Sequence, residues 1–174
     1  APTLTTADKQ RRFENLVEAY SGWLYRYAYW LAGNKPTAED LVQETFLRAW
    51  RFLDALKEES AAKSWLTTIL RRENARRFER KRFEYSDVEL DEIPETHVDF
   101  DTRPEVIALR IALKSLPPAY REPLILQVLE GYTLEDIAKI MCLPRNTVAT
   151  RLHRARQKLK QQLEQEEKTI NELP

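Results

Sequence analysis

Over the first half of the chain, apolar residues recur at three- and four-residue steps: Phe13, Leu16, Val17, Tyr20, Leu24, Tyr27 and Leu31. That is the period of an amphipathic helix, and the stripe stops at Gly33-Asn34, a helix terminator. Thr37, three residues before Asp40, has the spacing of a capping box with Asp in place of the usual Glu. It precedes a second stripe of Leu41, Val42, Thr45, Phe46, Ala49 and Leu53. A third helix is predicted from near Ser64, burying Trp65, Leu66, Ile69 and Leu70, with Arg72, Arg76 and Arg80 aligned at four-residue intervals on another face.

The second half begins a new series. Thr102 and Pro104 make a good helix start, Val106, Leu109, Leu113 and Leu116 form its apolar side, and Pro117-Pro118 stops it. The next helix runs to Gly131; Pro123 is placed close to its first turn, where a missing N–H is tolerable, and can delay its start. Thr133 with Asp136 caps a short helix, Leu134 to Met141, and a break at Cys142-Leu143-Pro144 leads into a long helix from Asn146 or Thr147 past Lys160. No stretch alternates apolar with polar residues, and only three glycines occur in 174 residues. With strand and hairpin signals this weak, the fold class predicted is all-α.

Charge divides the chain further. Lys plus Arg and Asp plus Glu both total 28, for a net charge of zero, which taken alone argues against a nucleic-acid partner. The distribution reverses that judgement. Arg71 to Arg82 carries seven basic residues in twelve, and Arg145 to Lys160 contains basic residues and no acid. Between them, Glu84 to Asp101 contains acids and no Lys or Arg, the composition of a self-repelling linker. The expected plan is a helical domain over residues 9–83, an acidic flexible linker over 84–102 and a second small helical domain over 103–165, with the two ends of the chain left unassigned. Cys142 has no second cysteine to pair with, and with His97 and His153 alone no zinc spacing can be built, so no metal or cofactor is expected and a reducing cytoplasm fits. No apolar run approaches the ~20 residues of a membrane span.

The segment from Thr133 to Leu159 reads as helix, short turn and second helix with a basic exposed face, the arrangement that lets a second helix enter the major groove. Ile137, Ala138, Val148 and Leu152 would lock the pair. Arg145, Asn146, Thr147, Thr150 and Arg151 are candidates for base or backbone contact, with Arg154, Arg156 and Lys158 for phosphates. His153 would contact the DNA backbone or cap a neighbour.

Residues 113–159 resemble region 4 of the sigma-70 family in its extracytoplasmic-function (ECF) branch. Leu116-Pro117, Arg121, Glu130-Gly131, Ile137-Ala138, Thr147-Val148 and Arg151-Leu152-His153-Arg154-Ala155-Arg156 match in order and spacing. Residues 36–66 resemble region 2 through Asp40, Gln43, Glu44 and Phe46, with Ser64-Trp65-Leu66 opening the next helix. The resemblance implies a non-enzymatic factor with no catalytic residue and no small-molecule substrate, a region 2 bundle joined to a region 4 helix-turn-helix. It also implies core RNA polymerase and promoter DNA as partners, and control by an anti-sigma factor, the cytosolic domain of a membrane protein. Asp40, Gln43, Glu44, Leu47 and Arg48 would dock on the polymerase, although intrahelical pairing of Asp40, Glu44 and Arg48 is open as well. Lys63, Arg71, Arg72, Arg76, Arg77 and Arg80 would hold the melted −10 strand, the loop Asp54 to Lys63 receiving an unstacked base, and Arg145, Asn146, Thr147, Thr150, Arg151 and Arg154 would read the −35 element.

Four positions depart from the family pattern. Arg72 and Arg76 replace the usual Asn and Asp of the third helix, Ala62 stands where an aromatic is common, and Cys142 takes a turn position often held by glycine. Trp65 reads as core. Cys142 reads as a small buried hydrophobe, either at positive φ or in a turn of different shape. A decoy that binds an anti-sigma factor without DNA, a stand-alone helix-turn-helix regulator and a recombinase are the rival classes. The arginines argue against the first, the Asp40 to Trp50 signature against the second, and the all-helical setting of Tyr120 and Ser64 against the third.

Overall fold

The computed structural model describes residues 4–84 and 103–173, and the chain divides into two compact units, one on each side of the stretch between them. Among the described residues every regular element is helical, seven α-helices with two short 3₁₀ turns, so the all-α expectation holds. Thr102 and the acidic stretch from 85 onward, read above as a linker, lie outside the described residues.

In the first unit, α1 (Thr6–Ala32) starts at an N-cap Thr5 whose hydroxyl accepts from the Asp8 N–H, and ends where Gly33 turns into the left-handed region at φ 78°. Helix α2 (Lys35–Arg51) begins earlier than its pattern suggested. Asn34 is the N-cap, its side chain accepting from the Thr37 N–H at 3.0 Å, and Pro36 occupies the first turn. The expected capping box at Thr37 and Asp40 is therefore inside the helix, because Asn34 satisfies the first orphan donors three residues upstream. Helix α3 (Ala62–Glu84) packs against both. Leu16, Leu24, Tyr27, Leu41, Phe46, Ala49, Leu53, Leu66 and Leu70 fill the core. Trp65 and Ile69, expected inside, are half-buried; Trp65 nonetheless packs against the core residues Leu16, Leu53, Leu56 and Ala62.

The connection between α2 and α3 is held down by α1. Arg12 donates from Nη2 to the Leu56 carbonyl at 2.6 Å and from Nε to Glu59 at 2.6 Å. Phe13 meets Phe46 and Trp50 edge-on, at 6.1 and 5.2 Å between ring centroids.

The second unit comprises α4 (Pro104–Ser115), α5 (Pro118–Val128), α6 (Leu134–Met141) and α7 (Arg145–Asn171). Pro117-Pro118 ends α4 and starts α5 directly, so Pro123 lies inside α5 and fully buried, not at its start. Ala112, Leu113, Leu116, Leu124, Ile125, Leu126, Ile137, Ile140, Val148, Leu152 and Ala155 form the core. The residues after Gln161 continue α7 to Asn171, with the Ser115 hydroxyl donating to Gln162 at 2.6 Å.

Candidate nucleic-acid interface

In the second unit, the capping box at Thr133 and Asp136 is complete: the Thr133 hydroxyl accepts from the Asp136 N–H at 3.2 Å, and the Asp136 carboxylate accepts from the Thr133 N–H at 3.3 Å. Helix α6 then ends at Cys142, φ 53° and ψ 45°, the one non-glycine at positive φ among the described residues. The Cys142 N–H donates to Lys139 and the Leu143 N–H to Ala138, closing the turn. Of the two readings of this position, the left-handed one holds, but the thiol is exposed and not buried. A left-handed residue at a helix end directs its Cβ off the helix, here into solvent.

Helix α7 begins at Arg145, one or two residues before its expected start. Val148, Leu152 and Ala155 face α6 and the core, which turns Asn146, Thr150, His153 and Arg154 outward as an exposed polar ridge. Thr147 and Arg151 are half-buried beside it. Two expected phosphate contacts are engaged within the unit: Arg156 bonds Gln127 on α5, and Lys158 lies 5.7 Å from the Tyr120 ring centroid. Arg145, at the start of the ridge, donates to Glu135 at 2.7 Å. That hydrogen bond holds the Glu135 carboxyl below its usual value, with a backbone donor adding to the effect.

In the first unit, α2 exposes Asp40, Gln43 and Leu47, the last 64% exposed, with Glu44 and Arg48 half-buried. Arg48 pairs along its own helix with Glu44 at 3.5 Å, and also with Glu73 on α3. Glu73, 7% exposed, takes Arg76 as well, at 3.6 Å. This buried acid was absent from the candidate residues. The signal for it was its register: Leu66, Leu70 and Glu73 follow at four and three residues, so the acid continues the buried stripe of α3.

The basic residues of α3 do not share one setting. Arg72, Arg76 and Arg80 are exposed along one line, as their spacing predicted. Arg71 and Arg77 are half-buried, and burial lowers the Arg77 pKa, opposed by Asp40 on α2. Lys63 lies over the Trp23 indole of α1, 4.8 Å from the ring centroid. The six residues expected to grip a −10 strand thus resolve into an exposed arginine line with Lys63, Arg71 and Arg77 set back from it.

Both units match family models: Sigma-70 region 2 over residues 16–84 and Sigma-70 region 4 over residues 107–159. Relatives extend the match across both. The ECF RNA polymerase sigma factor SigW of Bacillus subtilis is 30% identical over 171 residues, covering 88% of this chain and 90% of the relative. EcfG of Rhodopseudomonas palustris is 36% identical, covering 78% and 76%. The chain belongs to the ECF sigma factors of the sigma-70 family. It spans 61% of a longer ECF sigma factor, SigE of Mycolicibacterium smegmatis, at 35% identity. Among solved structures, the sigma factor RpoE in complex with the anti-sigma factor NepR from Bartonella quintana matches with a TM-score of 0.72 and 29% identity. It covers 88% of this chain and 98% of that one. CnrH in complex with the cytosolic domain of CnrY matches at 0.67 and 25%, covering 89% of each. ECF sigma factors are transcription initiation factors. In this one, no described helix is long and apolar enough to cross a membrane, and the described residues hold no cluster of potential metal ligands.

Proposed function

We propose that this ECF sigma factor directs core RNA polymerase to its promoters, reading a duplex −35 element with α7 and capturing the melted −10 strand along α3. The exposed ridge of α7 carries the reading. A rigid α6–turn–α7 unit, capped at Thr133 and packed through Val148 and Leu152, offers Asn146, Thr150, Arg151 and Arg154 to base edges and phosphates, with Arg145 and Thr147 at its groove end. On α3 the exposed arginines supply phosphate contacts, and Arg71, Arg77 and Lys63 support that face from behind.

The polymerase would bind at Asp40, Gln43, Glu44, Leu47 and Arg48. Exposed Leu47, with Glu44 one turn before it and Arg51 one turn after, supports this, since an apolar anchor with a charged rim is how a helix docks on a partner. The factor works in the cytoplasm, catalyses no reaction itself and is restrained by an anti-sigma factor, as the complexes of the Bartonella quintana factor and of CnrH suggest. The test is transcription in vitro with core polymerase and promoter fragments, comparing the wild type with Glu44→Lys and Arg151→Ala. Specific initiation lost in both variants is the expected result. A folded protein that initiates on no fragment yet binds an anti-sigma domain would instead make it a decoy.

A further inference from the structure

Arg145 opens α7, and its setting differs from that of Arg154 on the same ridge. Its Nε donates to the Glu135 carboxylate of α6 at 2.7 Å, whereas Arg154 has no acidic partner among the described residues. An arginine in the first turn of a helix sits at the positive end of the helix dipole, an unfavourable place for a cation without a partner. Glu135 is the converse. It lies in the first turn of α6, where the dipole favours a carboxylate and a backbone donor adds to its stabilisation. One turn of chain fixes both ends of the pair: the capping box at Thr133 and Asp136 sets the start of α6, and left-handed Cys142 with Pro144 sets the start of α7.

What this pair can bind follows from its charge. A guanidinium beside a carboxylate is neutral as a unit, so a phosphate that approaches it meets an acid as well as a base and gains little. The edge of a base carries no net charge, and the carboxylate does not repel it. With Nε engaged, both Nη groups of Arg145 keep their donors, a planar fork suited to two neighbouring acceptors in the major groove.

We propose that Glu135 is a specificity-determining residue of the duplex-reading unit. By holding Arg145 through Nε, it withholds that arginine from phosphates, which every duplex offers, and reserves the Nη edge for a base, which only some sequences offer. Glu135 touches no DNA itself and is a positioning residue. This rests on the reading of α7 as the −35 helix and, of the base and backbone contacts open to Arg145, assigns the base.

The experiment selects duplexes with a randomised window on the full chain, then measures fluorescence anisotropy of the selected duplex and of a scrambled one over a range of salt. Glu135→Gln keeps the size of the side chain and removes its charge. It should tighten binding to both duplexes, the scrambled one more, so that preference for the selected duplex falls about fivefold, the lower end of one base contact. The slope of log affinity against log salt should steepen by about one as the released arginine meets a phosphate. Combining Glu135→Gln with Arg145→Gln replaces one neutral pair by another; the preference should fall similarly while the slope stays at the wild-type value. A double variant that keeps the preference, or whose slope is shallower by about one, overturns the base assignment. A residue that merely braced the turn would shift both duplexes alike, so a Glu135→Gln variant with wild-type preference overturns the role of Glu135 whatever its stability. A wild type that binds all duplexes equally, or none, overturns the −35 reading itself.

Discussion

Arg48 on α2 and Glu73 on α3 form an ion pair in which the carboxylate is almost fully covered and the arginine side chain is 25% exposed. The pair ties the helix proposed to dock on polymerase to the helix proposed to hold DNA. A buried charge stripped of its partner retains its desolvation cost. Arg48→Ala should therefore destabilise the first unit by about 1–3 kcal/mol, the cost of an unsatisfied buried polar group. Adding Glu73→Gln should restore part of the loss. Urea denaturation of both single variants and the double variant measures the coupling; strictly additive effects would show that the pair contributes nothing.

Gly22 lies within α1, and a Cβ built on it meets nothing within 4 Å. Glycine in a helix interior costs about 0.5–1 kcal/mol relative to alanine through the freedom its unfolded chain loses. Gly22→Ala should raise stability by that amount, read as an increased urea midpoint at unchanged m-value.

Cys142 occupies a left-handed conformation at φ 53° with its side chain exposed. The conformation costs a side chain about 1 kcal/mol or more, and a β-branched one more still. The thermal midpoint should follow the order Cys142→Gly at or above wild type, then wild type, then Cys142→Val. A valine variant as stable as wild type would show that the turn adopts another shape.

Glu135 is exposed and held below its usual carboxyl value first by the hydrogen bond from Arg145. A carboxyl whose folded pKa is depressed contributes stability above its unfolded value, near 4.5, and loses it as pH falls through the folded value. Glu135→Gln should flatten the decline of the thermal midpoint below about pH 4.5, and salt should shrink the difference between the two proteins. The same substitution releases Arg145, so binding to −35 duplex should strengthen.

Arg154 stands on the open ridge of α7, while Arg156 is bonded to Gln127. Arg154→Ala should weaken duplex binding and, if its contact is a phosphate, reduce the slope of log affinity against log salt by about one. Arg156→Ala should leave the slope unchanged. Titrations at several salt concentrations separate the two.

Helix periods, the Gly33 stop, the Thr133 cap and the turn before α7 were all legible in the sequence, because each depends on residues within one or two helical turns of one another. Asn34 shows the limit of that locality: a capping residue three positions upstream displaced an equally plausible cap at Thr37. The helix-turn-helix was also legible as an element, since its geometry follows from one short turn and two apolar stripes.

What only the tertiary structure decided is which polar side chains remain available. Arg72, Arg76 and Arg77 look alike in a basic run, yet packing of α3 against α2 exposes the first two and half-buries the third beside Asp40. Arg156 and Lys158 look as open as Arg154 until α5 brings Gln127 and Tyr120 against them. Glu73 reads as one acid lost in a basic block, and becomes a buried acceptor only when Arg48 arrives from another helix. Local spacing sets which face of a helix a residue occupies. Whether that face meets solvent, an opposite charge or an aromatic ring depends on residues distant in the chain, and their approach is fixed by the packing of the core.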